Sequence, residues 1–312
     1  MYVPSRVIYP YQLDRGGRTM PKIGRFSSEK DSRRFTDAYD AIADRWPVPS
    51  TSVDVDTSFG STYVRRSGTG EGLPIVVLPG IGGNGLVWGR FIEALALDHV
   101  VYTPDVIGWA GRCKQAAPVR NSEDVARWLV EVMDGLGESR FHLAGNSAGA
   151  WLAACAAVHQ PERLASLAML EPSAAIFARP RIGLLLKFLS AGIAPTEKRM
   201  RKLNEWLQPR TVLSDEEYAL ALAAVKFRMA MPWDRTFTDA ELGAITAPSL
   251  VLFGAETVVA DPNFAAARAR RHIKSVDVGF YEVVGHDLMW ANPDEVIPRF
   301  LAFTDSHDPV RA

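Results

Sequence analysis

Ser147 lies in Gly145-Asn146-Ser147-Ala148-Gly149, a G-x-S-x-G pattern. A free serine hydroxyl is a weak nucleophile and needs a neighbouring base to take its proton. Six histidines could serve as that base, namely His99, His142, His159, His272, His286 and His307. Only His286 follows a glycine just past a C-terminal strand-like run. His142 falls within a strand, His159 and His272 at helix ends, His99 before a strand and His307 in the tail, all settings for structural or solvated residues. A second glycine cluster, Gly80-Ile81-Gly82-Gly83-Asn84-Gly85, lets backbone N–H groups approach a ligand closely. It lacks the Gly-Lys-Ser/Thr ending and the G-x-G-x-x-G spacing of nucleotide-binding loops.

These residues need elements to hold them. Arg140–Ala144 is an apolar run of strand length, and Trp151–Val158 is an Ala-rich helix stopped by Gln160-Pro161. Strand, tight turn and helix form the context in which a G-x-S-x-G serine is held out at the top of a sheet. The glycines two positions either side leave room for the turn, and the helix N-terminus presents unpaired N–H groups to negative charge. Leu73–Pro79 is a continuous apolar run, the mark of a strand buried on both faces.

The spacing of Phe35, Tyr39, Ile42 and Trp46 predicts a helix over 35–46, and alternation predicts a hairpin over 52–65. A helix is predicted over 88–97, a strand over 100–104, and a helix from Ser122, as cap, to Leu136. Strands over 164–170, 249–254 and 276–284 and helices over 262–272 and 293–303 follow. Strands and helices alternate, which predicts an α/β fold with a mostly parallel central sheet and helices on both faces. From Ala174 to Ala244 the rhythm changes to three helical segments (181–192, 196–207 and 215–231) without a strand, the length of an inserted cap. The expected organisation is a loosely held arm over 1–34, a core over 35–173 and 245–305, and a helical cap over 174–244. The arm carries eight Lys/Arg against three Asp/Glu.

Composition restricts the partners. The chain has 312 residues, 47% hydrophobic, with a formal charge of -1, giving no electrostatic reason to expect nucleic acid. No run approaches ~18 apolar residues, so no membrane association is expected. The N-terminus lacks a signal-peptide pattern, making the cytoplasm the default. Two cysteines, Cys113 and Cys155, are too few for a disulfide framework, and no zinc-type spacing occurs. Neither metal nor organic cofactor is implied; the expected partner is a small-molecule substrate.

The order of these motifs resembles the α/β-hydrolase superfamily over roughly residues 50–305, and within it the bacterial carboxylesterase-type serine hydrolases carrying L-P-G-x-G-G-N. The resemblance implies Ser147 as nucleophile, His286 as base, and an oxyanion hole built from the backbone N–H groups of Ala148 and Ile81. Pro79 stands where the family usually has a histidine, which leaves backbone donors intact. The acid is the departure: its usual place, three residues after the glycine ending the seventh strand, holds Thr257. Three carboxylates keep the order Ser, acid, His. Glu171 ends the sixth strand, from which some relatives supply their acid; Glu256 is one residue from the usual place; Asp261 is further along the same loop. Glu171 is preferred. Asp105, which precedes the serine, is expected to hold a loop. The implied activity is cleavage of an ester, less readily an amide or thioester, of a small, partly apolar substrate through an acyl-enzyme. The alternatives are a non-hydrolytic step (elimination, acyl transfer or lyase chemistry) on the same fold, or a non-enzymatic receptor using the pocket.

Overall fold

A computed structural model describes residues 23–179, 181–184, 186–187, 196–232 and 235–309. Eight strands are numbered along the main sheet: β1 (Ser50–Thr57), β2 (Gly60–Ser67), β3 (Ile75–Leu78), β4 (Val101–Pro104), β5 (Phe141–Ser147), β6 (Leu164–Pro172), β7 (Ser249–Gly254) and β8 (Val276–Tyr281). Their order across the sheet is β8-β7-β6-β5-β3-β4-β2-β1, and Lys114–Gln115 adds a short ninth strand beside β2. The pairs from β4 through β3, β5, β6 and β7 to β8 are parallel, while β1–β2 and β2–β4 are antiparallel. This is the α/β architecture expected from alternating elements.

The helices used below are α1 (Glu29–Ala43), α2 (Ser122–Gly135), α3 (Ala148–His159), α4 (Glu197–Leu207), α5 (Asp215–Ala224), α6 (Asp239–Ala244), α7 (Pro262–His272) and α8 (Pro293–Asp305). Strand residues alternate between two cores. Val76, Leu78, Leu167, Met169, Val251 and Phe253 pack with α2, α3 and α7, whereas Ile75, Val77, Ala168, Leu170, Leu250 and Leu252 pack with Trp88, Phe91 and α8. A period of two on a doubly covered sheet therefore reads as an uninterrupted apolar run. Helix α3 is buried on nearly every side, which is why it is built from alanines rather than an apolar stripe. Fully buried rings such as Phe141 and Phe300 contribute roughly 2–3 kcal/mol each.

Local capping moves several boundaries. Helix α1 starts at Glu29 rather than Phe35, because the Ser28 side chain accepts from Asp31 N and two acidic residues occupy the first turn. Within the span expected to be a loose arm, Arg25–Phe26 pairs with Phe227–Arg228. Just beyond it, Phe35 and Tyr39 pack against Leu220 and Ala223 of α5; residues 1–22 lie outside the described residues. The helix expected over 88–97 is a 3-10 turn, Gly85–Arg90, capped by Asn84, followed by Ile92–Leu95. Asn121, not Ser122, caps α2 by accepting from Asp124 N.

Between β6 and β7, where no strand is expected, Phe227–Arg228 forms a short strand in a separate two-stranded sheet, because Arg25–Phe26 lies beside it to pair; no strand of the main sheet intervenes among the described residues. The segment contains Ala174–Phe177, α4, α5 and α6. Thr196 caps α4, while Ser214/Glu217 and Thr238/Glu241 form capping boxes on α5 and α6. Helix α5 stops at Ala224, well short of Met231. Much of the helix expected over 181–192 lies outside the described residues. The segment rejoins the core where Trp151 Nε1 donates to Arg235 O at 3.0 Å and its ring stacks on Phe237. No described helix is long and apolar enough to cross a membrane.

Candidate active site

Ser147 is the last residue of β5 and the N-cap of α3, with φ 53° and ψ −117°. A β-carbon at Gly145 would lie 2.2 Å from Gly149 O, and one at Gly149 would lie 2.4 Å from Leu78 O. Both distances exclude any side chain, so the two glycines permit the strand to reverse into the helix within one residue. Ser147, Glu171 and Val283 are the non-glycine residues with positive φ among those described. Conformations of this kind cost of order 1–3 kcal/mol each and persist only where surrounding structure fixes them. All three lie in the turns and strand ends that converge here.

Glu171 lies near the end of the sixth strand with φ 48°, beside an irregularity in the β5–β6 register. Its side chain, 1% exposed, reaches His286: Glu171 Oε2 lies 3.0 Å from His286 Nδ1. Its other oxygen, Oε1, accepts from Gly254 N. His286, 3% exposed, lies in the loop after β8 and places Nε2 2.8 Å from Ser147 Oγ. With Nδ1–H donating to the carboxylate, Nε2 is left to accept the serine proton. Burial pushes the Glu171 carboxyl above its usual range, opposed by His286, the Gly254 N–H and the nearby Thr257 hydroxyl. The Thr257 hydroxyl forms no well-aligned hydrogen bond, although threonine occupies the position next to the acid.

The other carboxylates are directed elsewhere. Glu256, weighed as an alternative acid, is about half exposed and pairs with Arg210 at 3.4 Å rather than with His286. Its backbone N–H donates to Val284 O, so it braces the histidine loop without presenting its carboxylate to the imidazole. Asp261 caps α7, accepting from Asn263 N and Phe264 N. Asp105, fully buried, accepts from Gly85 N at 2.9 Å, Arg112 N at 2.7 Å and the Tyr39 hydroxyl at 3.3 Å. It thus holds the loop after β4 to the glycine-rich loop, and burial raises its pKa.

Ala148 opens α3 and is buried. Ile81 follows Gly80, whose hypothetical β-carbon would sit 3.5 Å from Ser147 Cβ, so the glycine-rich loop runs directly past the serine. Asn146 ties the turn to its neighbour by donating from Nδ2 to Leu170 O at 3.2 Å. Among the described residues no group of three or more His, Cys, Asp or Glu side chains could hold a metal ion. Other histidines are held by contacts away from the serine, His142 by Ser166 at 2.8 Å and His159 by Ser122 at 3.0 Å.

The family model described as "Alpha/beta hydrolase family" matches residues 75–299, most of the chain. The chain belongs to the alpha/beta hydrolase family. Carboxylesterase YbfK of Bacillus subtilis (strain 168) is 26% identical over 286 residues, covering 89% of this hydrolase and 96% of that protein. The crystal structure of naproxen esterase (carboxylesterase NP) from Bacillus subtilis superposes with a TM-score of 0.81 at 27% identity, covering 88% of this chain and 98% of that one. A 2-hydroxy-6-oxononadienedioate/2-hydroxy-6-oxononatrienedioate hydrolase of Cupriavidus pinatubonensis is 27% identical over 264 residues, 77% of this chain and 89% of its own.

Two features had no separable signal in the sequence. Arg210 donates through its backbone N–H to Asp287 Oδ2, and Asp287, next to the histidine, is fully buried. A charged residue in a loop ordinarily reads as solvated, and only the fold reveals what covers it.

Proposed function

We propose that this alpha/beta hydrolase is a carboxylic ester hydrolase, in which Ser147 is the nucleophile, His286 the general base and acid, and Glu171 the acid of the triad. The observation that carries this reading is the continuous relay from Glu171 Oε2 through His286 to Ser147 Oγ, with both links at hydrogen-bond length.

In the first half-reaction Ser147 Oγ attacks the ester carbonyl carbon while His286 Nε2 takes its proton. Glu171 holds the ring in the tautomer that leaves Nε2 free and stabilises the imidazolium that forms. The carbonyl oxygen becomes an oxyanion, placed to receive the N–H groups of Ala148 and Ile81, each such donor supplying about 3 kcal/mol. Collapse expels the alcohol, which takes the proton from His286. Water then attacks the acyl-enzyme, with His286 again as base, and the carboxylic acid leaves. No step requires a metal or an organic cofactor. The substrate is a small, partly apolar ester, with the 174–244 segment acting as a cap over the site.

The carboxylesterase relatives cover more of the chain than the 2-hydroxy-6-oxononadienedioate/2-hydroxy-6-oxononatrienedioate hydrolase does, which favours an ester over such a dioate substrate. The test is intact mass after treatment with a fluorophosphonate, followed by turnover of p-nitrophenyl esters. A single adduct on the wild type, abolished in Ser147→Ala and His286→Ala, together with ester turnover, is the expected result. Absence of both adduct and turnover overturns the reading.

A further inference from the structure

Three segments distant in sequence meet beside His286. The end of α4 runs into Gln208-Pro209-Arg210, and Pro209 Cδ would lie 3.8 Å from a β-carbon on Gly285. The loop after β7 contributes Glu256, whose N–H donates to Val284 O at 2.8 Å. The histidine loop contributes Asp287, which is 0% exposed. Arg210 touches both loops, through its backbone N–H to Asp287 Oδ2 and through its guanidinium to Glu256 at 3.4 Å.

The two contacts differ in strength. Arg210 and Glu256 side chains are 38% and 55% exposed, and such surface pairs contribute little. The Asp287 carboxylate is buried, and its second oxygen, Oδ1, has no hydrogen-bond partner among the described residues. Among those residues its one donor is therefore the Arg210 N–H. A buried carboxylate deprived of its one donor is costly, which ties that donor firmly to it. The backbone at 210, rather than the arginine side chain, is the connection.

We propose that Asp287 is a positioning residue that seats the helical insertion on the histidine loop, so that α4, whose Trp206 and Leu207 pack against Ala174, Val259 and Ala260 close to Glu171 and Thr257 in sequence, is held over the substrate's acyl group while His286 keeps its place. This rests on the esterase reading above. The geometry assigns it a share in substrate binding rather than in bond-breaking, because the tether lies on the insertion side of His286 and hydrogen-bonds to neither Ser147 nor Glu171.

Two substitutions remove the same hydrogen bond from opposite ends: Asp287→Ala deletes the acceptor, and Arg210→Pro deletes the N–H. Two companions preserve it, since Asp287→Asn retains an acceptor oxygen and Arg210→Ala retains the N–H. The full-length protein is assayed with p-nitrophenyl acetate and p-nitrophenyl octanoate, alongside hydrogen exchange of 197–207. Asp287→Ala and Arg210→Pro are expected to raise KM for the octanoate about tenfold, leave kcat on the acetate within about threefold, and speed exchange in α4. The two companions are expected to stay near wild type in all three readouts. Arg210→Pro indistinguishable from Arg210→Ala, or equal losses on both esters with exchange accelerated throughout the chain, overturns the proposal. Should the wild type cleave neither ester, the esterase reading fails, and the exchange contrast between Arg210→Pro and Arg210→Ala still decides whether the tether seats α4.

Discussion

Replacing Glu171 by glutamine tests the relay, because the two side chains share a shape and differ in charge and in hydrogen-bond direction. Glu171 contacts two donors, Gly254 N–H at Oε1 and His286 Nδ1–H at Oε2. The Gly254 N–H can only donate, so a glutamine must turn its amide oxygen towards it. That leaves the amide NH2 facing His286 Nδ1, which must then be the acceptor. The proton moves to Nε2, the nitrogen 2.8 Å from Ser147 Oγ, and the base becomes a donor to the nucleophile it should deprotonate. Loss of the correct tautomer together with the carboxylate charge corresponds to about 10³–10⁴ in kcat, or about 4–5.5 kcal/mol. Steady-state hydrolysis of p-nitrophenyl acetate measures it. Glu256→Gln, which alters only an exposed pair with Arg210, should remain within about threefold of wild type. A Glu171→Gln variant within tenfold of wild type would refute the argument.

The same substitution makes an opposite statement about stability. Burial raises the Glu171 carboxyl above its ordinary pKa, so the folded state holds that proton more tightly than the unfolded chain does. The stability contributed by Glu171 is then fully present below its unfolded pKa and is lost as pH rises through the folded value. Glutamine never ionises and escapes that loss. Glu171→Gln should therefore melt at a higher temperature than wild type at pH 7–8, with the difference shrinking towards acid pH. A folded, more stable and nearly inactive variant separates a catalytic role from a structural one. Lower stability at pH 8 would contradict the direction of the shift.

Thr257, beside the same carboxylate, occupies the family's usual acid position, so adding Thr257→Asp to Glu171→Gln should recover at least tenfold of the lost kcat; no recovery in a folded double variant would show that position 257 cannot reach the imidazole. Burial holds His142 down to about 4 from 6.5, so it is neutral in the folded protein and stability should fall by about 2–3 kcal/mol as pH drops from 6.5 towards 4. Thermal melts of His142→Gln across that range should show a flatter pH dependence, and an unchanged slope would remove His142 as its cause. Gly149→Ala places a methyl 2.4 Å from Leu78 O and 2.5 Å from Pro79 O, both backbone atoms, and should cost about 2–4 kcal/mol in denaturant titration.

Much of the fold is legible before any coordinates because its strands are buried on both faces. Leu73–Pro79, Leu164–Leu170 and Ser249–Gly254 all announce themselves as apolar runs, and the structure places β3, β6 and β7 there. Boundaries set by side-chain caps are less legible. Apolar spacing alone begins α1 at Phe35, whereas a Ser28 hydroxyl and two acidic residues extend it by nearly two turns over a surface that shows no apolar pattern. The pattern overextends helix α5 because Val225, Phe227 and Met229 continue the apolar content after the chain has turned. There Phe227–Arg228 pairs with Arg25–Phe26, a contact between residues about two hundred positions apart.

The site divides along the same line between local and distant causes. Ser147 is legible because the steric demand of its turn falls on residues two positions away, and each glycine has a measurable reason to be one. The acid is harder, since a carboxylate at a strand end is chemically suitable wherever its backbone happens to aim it. What distinguishes Glu171 is a positive φ beside the β5–β6 irregularity, which turns its side chain towards the β7 end and the histidine loop. Glu256 has the same functional group one residue from the usual position, but its side chain lies at the surface beside Arg210 of the insertion, away from the imidazole. Asp287 is the extreme case: adjacent to the base in sequence, it is buried where a segment nearly eighty residues earlier folds across it and supplies one N–H. Which carboxylate serves the imidazole and which one tethers the insertion is thus decided by chain crossings that no local pattern encodes.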